Sequence, residues 1–363
     1  MRVLVVSGAS GGHIFPALGF LDALRQREKN IDSLLVLPRQ SLKNGIDVSG
    51  YKVQYISITS VKLSFDFNGF LSCFRFFQGA LESLLILLKF KADIVIGFGS
   101  LPSLPLLLFA HIFRIKTLIH EQNVIPGRAN RFLAKFADKI AVSFEETRKY
   151  LEGYENKTVF SGNPIRRGLI RTDKLEALNF FGFSHDKFTL LVMGGSLASH
   201  RINIVFFKAL SGLSDKSRLQ VIHLCGAKDF DSLNSGYKDL GVNFRLLNFL
   251  KEMRYAYSAS DLVICRAGAT TISELIFFKV PAVVIPYPYA GRHQMANAKV
   301  LEQKGCAVIM EDKNLDSDKL QETLKSLIQS PQNLESMRSG YDALKINNAD
   351  GLLADALFST VNS

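Results

Sequence analysis

The sequence predicts two open α/β domains in tandem, each built on a parallel sheet. Three observations predict it. Short runs rich in Val, Ile and Leu alternate with segments of helical period along the whole chain, the pattern of buried parallel strands joined by crossover helices. The 363 residues are about twice an ordinary domain of about 150. The halves also echo each other. Asp93-Ile94-Val95-Ile96-Gly97-Phe98-Gly99 returns as Asp261-Leu262-Val263-Ile264-Cys265-Arg266-Ala267-Gly268, and Gly127-Arg128-Ala129-Asn130 as Gly291-Arg292-His293-Gln294.

Taken in order, the first half offers strands at Val3–Val6, Leu34–Leu37, Val53–Ile58, Ile94–Phe98, Thr117–His120, Ile140–Val142 and Val159–Phe160. The second offers Thr189–Met193, Gln220–Leu224, Asn243–Leu246, Leu262–Cys265, Ala282–Ile285 and Val308–Met310. Gly and Pro punctuate Ser161-Gly162-Asn163-Pro164, which reads as the linker, giving domains of 1–163 and 164–344. In such folds ligands bind beyond the carboxyl ends of the strands, and with two domains the cleft between them is the default site.

Composition narrows the class. Hydrophobic residues make up 47% and charged residues 21%, which excludes a disordered chain. Basic residues number 44 against 33 acidic, a formal charge of +11; 20 of the basic and 13 of the acidic residues lie before Pro164. The first half is therefore the more basic and suits an anionic partner. Nucleic acid is disfavoured, because no Lys/Arg cluster or known module is present. The cysteines, Cys73, Cys225, Cys265 and Cys306, form no CxxC pair and read as reduced thiols of a cytosolic protein. The N-terminal apolar run is too short for a signal peptide, and Leu101–Phe113 is too short and too interrupted by Pro102 and Pro105 to span a bilayer.

Five motifs carry chemistry. Ser7-Gly8-Ala9-Ser10-Gly11-Gly12-His13 follows the first strand and opens a helix, so small residues and amides can approach an anion there. It matches neither the dinucleotide fingerprint nor the P-loop. His13, beside this helix start, is a candidate base whose neutral form the helix terminus favours; a ring packed under the loop is the alternative. Met193-Gly194-Gly195-Ser196 is its twin in the second half, with Ser196 as a phosphate donor. Cys265-Arg266-Ala267-Gly268-Ala269-Thr270-Thr271-Ile272-Ser273-Glu274 ends a strand and starts a helix; its hydroxyls and amides suit a diphosphate, and Glu274 suits a ribose diol or simply favourable placement near a helix start. His120-Glu121-Gln122-Asn123 suits sugar hydroxyls, and Arg166 beside the linker suits a phosphate. Metal signals are poor: DxD forms at Asp229–Asp231 and Asp316–Asp318 gather no further ligands.

Phe65, Phe67 and Phe76, edged by Lys62 and Arg75, suit an acidic bilayer surface, while Phe70, Phe74, Phe77, Leu81, Leu84 and Leu88 form a helical stripe read as core. A packed face or an oligomer contact is the alternative for the three phenylalanines.

Together these strings resemble the MurG family of bacterial N-acetylglucosaminyltransferases of peptidoglycan synthesis. The resemblance runs in order through Gly11-Gly12-His13-Ile14-Phe15-Pro16-Ala17, His120-Glu121-Gln122-Asn123, Gly162-Asn163-Pro164-Ile165-Arg166, Gly194-Gly195-Ser196, Cys265-Arg266-Ala267-Gly268-Ala269-Thr270 with Ser273-Glu274, and His293-Gln294 with Asn297-Ala298. It implies a GT-B fold, two Rossmann-like doubly wound domains facing across a cleft, with a C-terminal helix in about 345–363 returning to the first domain. It implies inverting transfer of N-acetylglucosamine from UDP-GlcNAc to the muramoyl 4-hydroxyl of lipid I, giving lipid II, at the cytoplasmic face of the inner membrane, with no metal or cofactor.

By position, the resemblance implies that Ser10, Gly11, Gly12 and Asn123 touch the donor sugar. Arg166, Ser196 and the helix start from Ala269, Thr270 and Thr271 into Ile272 and Ser273 meet the diphosphate. The Leu250 main chain reads uracil, Glu274 holds the ribose and Gln294 the sugar. The chain departs from the family at Ala198-Ser199, where Gly-Ala is usual, and at Gly97-Phe98-Gly99, where a Gly-Gly-Tyr loop is common. Alternatives on the same fold are a diacylglycerol galactosyltransferase or an epimerase; a non-catalytic nucleotide-sugar sensor is the alternative from another class.

Overall fold

The computed structural model describes all residues except 59–66, 167, 196–197, 290–291 and 345–347, and the backbone alone at 43–44 and 67–70. The chain divides into two compact units: Met1–Arg166 with Ile346–Ser363, and Arg167–Lys345. The division falls three residues after the Asn163 boundary expected from the linker, because Arg166 stacks its guanidinium 4.4 Å over the ring of Phe15 in the first unit.

In the first unit, β1 (Arg2–Val6), β2 (Asp32–Pro38), β3 (Val53–Ile56), β4 (Ile94–Gly97), β5 (Lys116–Glu121), β6 (Lys139–Val142) and β7 (Thr158–Phe160) form one sheet in the order β3-β2-β1-β4-β5-β6-β7. Every pairing is parallel. Val3, Leu4, Val5 and Val6 have no exposed surface, as expected of strands covered by helices on both faces. Each such side chain contributes about 1.5–3 kcal/mol on burial. The crossovers are α1 (Gly11–Arg27), α2 (Phe67–Phe90), α3 (Ser103–Ile112) and α4 (Arg128–Leu133).

The second unit repeats the plan. Strands β8 (Phe188–Met193), β9 (Leu219–Leu224), β10 (Asn243–Leu247), β11 (Leu262–Cys265), β12 (Ala282–Val284) and β13 (Ala307–Ile309) take the order β10-β9-β8-β11-β12-β13, again all parallel. Its helices are α5 (Lys174–Phe181), α6 (His200–Gly212), α7 (Phe230–Lys238), α8 (Met253–Ala259), α9 (Ala269–Phe278), α10 (His293–Glu302), α11 (Ser317–Ile328) and α12 (Pro331–Gly340). In both sheets the strand order reverses beside the first strand of the unit, and loops leaving adjacent strands diverge there, opening a crevice at the carboxyl edge.

The last helix, α13 (Ala349–Val361), belongs to the first unit. Leu353, Ala354 and Leu357 join its core, Asp350 accepts a hydrogen bond from the Ile165 amide at 3.1 Å, and Lys139 donates to Ser359 at 2.6 Å. Burial pushes the Asp350 carboxyl up to about 6.

Helix α2 reverses the sequence expectation. Phe74, Phe77, Leu81 and Leu88 of the expected core stripe are exposed, with Leu85 beside them, whereas Phe76 packs against the core. The packed side is the one carrying Gly79, Ser83, Ile86 and Leu87. A Cβ on Gly79 would meet Ile58 Cγ1 at 2.3 Å, so only glycine lets the helix lie this close. Leu71–Phe90 has a mean hydropathy of 1.5 and is, by length and composition, apolar enough to cross a membrane. Its packed side ties it to the sheet of the first unit. Of the phenylalanines expected at a membrane, Phe65 and the side chain of Phe67 lie outside the described residues, and Phe76 faces inward.

Candidate active site

At the carboxyl edge of the first sheet, three loops meet around His13. The turn after β1 leads through the cap residue Ser10, which makes no side-chain cap hydrogen bond, into Gly11, Gly12 and His13 of α1. A Cβ on Gly8 would stand 2.6 Å from Ser100 Cβ and 2.9 Å from His13 Cδ2, so glycine is required for the β1 and β4 loops to close on the ring. In the β4 loop, Gly99 and Ser100 both take left-handed φ values, 76° and 68°. Phe98, the bulky residue of this loop, turns into the core between Phe20 and His120, with ring centroids at 5.8 and 5.2 Å. Gly99 is buried as well, and Ser100 beside it is half-buried.

The β5 loop reads differently in structure than in sequence. His120, Glu121 and Gln122 are buried and serve each other and the backbone. Glu121 accepts hydrogen bonds from the amides of Asn123 (2.9 Å) and Gly127 (3.0 Å) and from the side chains of Asn123 (3.2 Å) and Asn130 (2.8 Å). Four donors on one carboxylate fix the course of the loop. Only Asn123 of this string is half-exposed. His13 Nδ1 and Gln122 Oε1 lie 3.0 Å apart. Desolvation lowers the His13 pKa below the ordinary histidine value, and the Glu121 charge opposes that shift. A neutral imidazole at the start of α1 can accept a proton.

The second sheet carries the other expected residues. Gly194 follows β8, where a Cβ would meet the Ser199 amide at 2.2 Å. Ala198 takes φ 56°, a conformation that strains alanine and suits the glycine usual in the family. Ser196 lies outside the described residues. Arg266, which sequence reasoning left without a role, braces this turn: it donates to Ser199 Oγ (2.9 Å), Asp312 (2.5 Å) and the Ile285 carbonyl (3.2 Å). The two phosphate-type turns are thereby tied together.

Helix α9 starts after Gly268, a cap residue with no side chain to accept from the first-turn amides of Ala269, Thr270 and Thr271. Ile272 and Ser273 do not share that face. The Ile272 side chain is fully buried and its amide donates to Gly268 at 2.9 Å, while Ser273 Oγ bonds back to Ala269 at 2.9 Å. Thr270 and Thr271 are half-buried at the start of the helix, whereas Ala269, Ile272 and Ser273 are buried. Glu274, a turn further on, is oriented by Tyr257, whose hydroxyl donates to Oε2 at 2.7 Å. Tyr257 in turn stacks on Phe278 at 5.0 Å; no local motif marked it. Gln294 Oε1 accepts from the amides of Ala267 (3.2 Å) and Tyr287 (2.9 Å), which leaves Nε2 as the end that donates. Leu250 sits half-buried between β10 and α8. Asp316 caps α11, and Asp229 accepts from Asn203 Nδ2 at 2.7 Å and lies 2.7 Å from His200 Nδ1; among the described residues no group of acids, histidines and cysteines is arranged to hold a metal.

The pattern of the glycosyltransferase family 28 N-terminal domain matches residues 3–142, and that of its C-terminal domain residues 189–350. Over 369 aligned positions the chain is 35% identical to the UDP-N-acetylglucosamine–N-acetylmuramyl-(pentapeptide) pyrophosphoryl-undecaprenol N-acetylglucosamine transferase of Thermoanaerobacter sp., covering 100% of both chains. The chain belongs to the MurG family. The crystal structure of Acinetobacter baumannii MurG superposes with a TM-score of 0.77 at 26% identity, covering 98% of each chain. A UDP-GlcNAc 2-epimerase from Neisseria meningitidis, solved with UDP-GlcNAc, shares the fold at 15% identity and a TM-score of 0.71, over 99% of this chain and 100% of that one. The fold is accordingly GT-B, and MurG membership, unlike the fold, separates the chain from the epimerases.

Proposed function

We propose that this protein transfers N-acetylglucosamine from UDP-GlcNAc to the muramoyl 4-hydroxyl of the undecaprenyl-diphosphate-linked acceptor, converting lipid I to lipid II. The observation that carries the reading is full-length MurG membership at 35% identity, supported by the Gly11–His13 and Ala269–Glu274 strings lying on helices that follow β1 and β11. The second unit takes the nucleotide. The amides at the start of α9 meet the diphosphate, Glu274 accepts from the ribose hydroxyls, the Leu250 main chain reads the uracil, and Gln294 donates to the sugar. Arg166, stacked on Phe15, supplies a guanidinium to the same diphosphate. Ser10, Gly11, Gly12 and Asn123 complete the sugar contacts.

In the reaction the bond from C1 to the β-phosphate oxygen breaks as the acceptor O4 bonds C1 from the opposite face. The α-configured donor gives a β-product, UDP leaves, and the hydroxyl proton passes to His13. Charge growing on the leaving diphosphate is what a helix amino-terminus and a guanidinium stabilise most. Deprotonation by a placed base contributes about 10²–10⁴ in rate.

The exposed face of α2 supports attachment to the cytoplasmic surface of an anionic membrane. Phe74, Phe77, Leu81, Leu85 and Leu88 line one side of the helix, Ile112 and Phe113 are exposed at the end of α3, and Arg75 and Lys89 are exposed along α2. Apolar side chains edged with cations suit an acyl–headgroup boundary. The packed Gly79–Leu87 side holds the helix along such a surface and not across it.

The deciding assay supplies radiolabelled UDP-GlcNAc with lipid I or with diacylglycerol. Label in lipid II with equimolar UDP release is expected. Label in diacylglycerol, a 2-epimerised nucleotide, or donor binding without UDP release would each replace the reading with one of the alternatives.

A further inference from the structure

Two fully buried polar side chains, His120 and Gln122, stand behind His13 with no ligand role of their own. Their hydrogen bonds admit one arrangement of protons. Gln122 Nε2 lies 3.1 Å from the His120 carbonyl and 3.3 Å from the Phe98 carbonyl. Carbonyls only accept, so the amide nitrogen is fixed at that end and Oε1 must face His13. An amide oxygen also only accepts. The proton between Oε1 and His13 Nδ1, 3.0 Å apart, therefore sits on Nδ1, and the lone pair sits on Nε2. At its nitrogen end Gln122 lies 3.0 Å from His120 Nδ1, which must accept, and His120 Nε2–H donates to the Gly162 carbonyl at 2.9 Å. Turning the amide over would set Oε1 against two carbonyls and leave His13 Nδ1 facing a donor.

Two glycines stand beside the edge of the ring that carries that lone pair. Built Cβ positions on Gly8 and Gly99 would stand 2.9 Å from His13 Cδ2 and 3.6 Å from Cε1, the two carbons that flank Nε2. Nε2 accordingly faces the β1 and β4 loops. Among the described residues, the charged or titratable groups facing this ring are Glu121 and His120. The Glu121 carboxylate and the Phe98 carbonyl favour the imidazolium once formed, and Nδ1–H stays on Gln122 throughout.

We propose that Gln122 is a positioning residue which, anchored through His120 to the Gly162 carbonyl, holds His13 as the Nδ1–H tautomer and so presents Nε2 to the acceptor hydroxyl. This rests on His13 being the base. Imidazole free in water prefers the Nε2–H form, in which the outward nitrogen carries a proton and cannot take one. A wrong tautomer at the catalytic histidine of serine proteases costs about 10⁴ in rate, and a placed base is worth about 10²–10⁴. Gly162 takes φ 71°, and it lies four residues before the division between the units, so the chain of bonds ends on the segment that leaves the first unit.

The test is ¹⁵N NMR of the full-length enzyme with labelled histidine, the His13 and His120 signals being assigned from the His13→Ala and His120→Ala spectra. His13 protonated at Nδ1 and His120 at Nε2 are expected; His13 protonated at Nε2 would overturn the proposal, even if His13→Ala is inactive. Conversely, full turnover by His13→Ala would remove the base while leaving the tautomer measurement standing. Kinetics give the second arm. Gln122→Met should lower kcat about 10²-fold, with KM for UDP-GlcNAc near that of the unaltered enzyme and the His13 signal moved to Nε2–H. Gln122→Glu keeps an acceptor at Nδ1 and, as the neutral acid with its proton on the oxygen that faces the two carbonyls, keeps a donor at the other end, so it should recover much of kcat. Equal losses in both folded variants, with the His13 signal still at Nδ1–H, would show Gln122 to be packing only.

Discussion

Replacing Phe77, Leu81 and Leu85 together with serine should detach the protein from membranes without unfolding it. These side chains expose 71, 58 and 58% of their surface. Fully burying such a residue is worth about 1.5–3 kcal/mol, so the exposed share of all three amounts to about 3–5 kcal/mol. At about 1.4 kcal/mol per decade, partition into vesicles should fall about 10²–10⁴-fold. Substitutions at exposed sites ordinarily change stability by within about 0.5 kcal/mol, so the urea midpoint should hold. Sedimentation with phosphatidylglycerol-containing vesicles measures the first quantity and chemical denaturation the second. Phe76→Ser is the control: it should cost about 1–3 kcal/mol of stability, because Phe76 packs against the core, and leave partition near normal. Undiminished vesicle binding by the triple variant, or selective loss in Phe76→Ser, would refute the outward face assigned to α2.

Three further outcomes follow from the site. Tyr257→Phe removes the hydroxyl that orients Glu274 and should weaken UDP-GlcNAc binding by about 1–3 kcal/mol in calorimetry; Glu274→Ala should weaken it at least as much, and unchanged affinity in both would take the ribose role from Glu274. His13→Ala should lower kcat about 10²–10⁴-fold, and in the unaltered enzyme the acidic limb should fall below pH 6.5, since burial lowers the His13 pKa and leaves the ring unprotonated further into acid. The fold itself should weaken in acid. Burial lowers His120 to about 4 and His223 to about 3, so below pH 6.5 the unfolded chain binds protons that the folded chain refuses. At pH 5 each histidine should have cost about 2 kcal/mol, partly offset in the first unit by Asp350 at about 6; a urea midpoint unchanged between pH 7 and pH 5 would contradict this.

Much of the fold was legible in the sequence because parallel strands covered on both faces are unbroken apolar runs. Val3–Val6 and Leu262–Cys265 announce themselves without reference to partners. Helix α2 was harder, since both of its faces are apolar and periodicity cannot tell inside from outside. The decisive signal is small: Gly79 and Ser83, one turn apart, mark the side that approaches Ile58 closely. At the site, the glycine turns and His13 were legible because strand–turn–helix junctions carry their own composition. The inward roles of His120, Glu121 and Gln122 were not, since a polar string after a strand looks the same whether it serves a ligand or its own loop. Tyr257 and Arg266 act across the second unit on residues 17 and 67 positions away, a separation no local pattern encodes.

A helix amino-terminus in the second unit is expected to hold the donor diphosphate while Glu274 holds its ribose. A crystal structure of the protein with UDP-GlcNAc measures this most directly. Phosphate oxygens should lie within hydrogen-bond distance of the Ala269–Thr271 amides, with both ribose hydroxyls on the Glu274 carboxylate. Nucleotide bound away from the start of α9, or a ribose with no bond to Glu274, would contradict it.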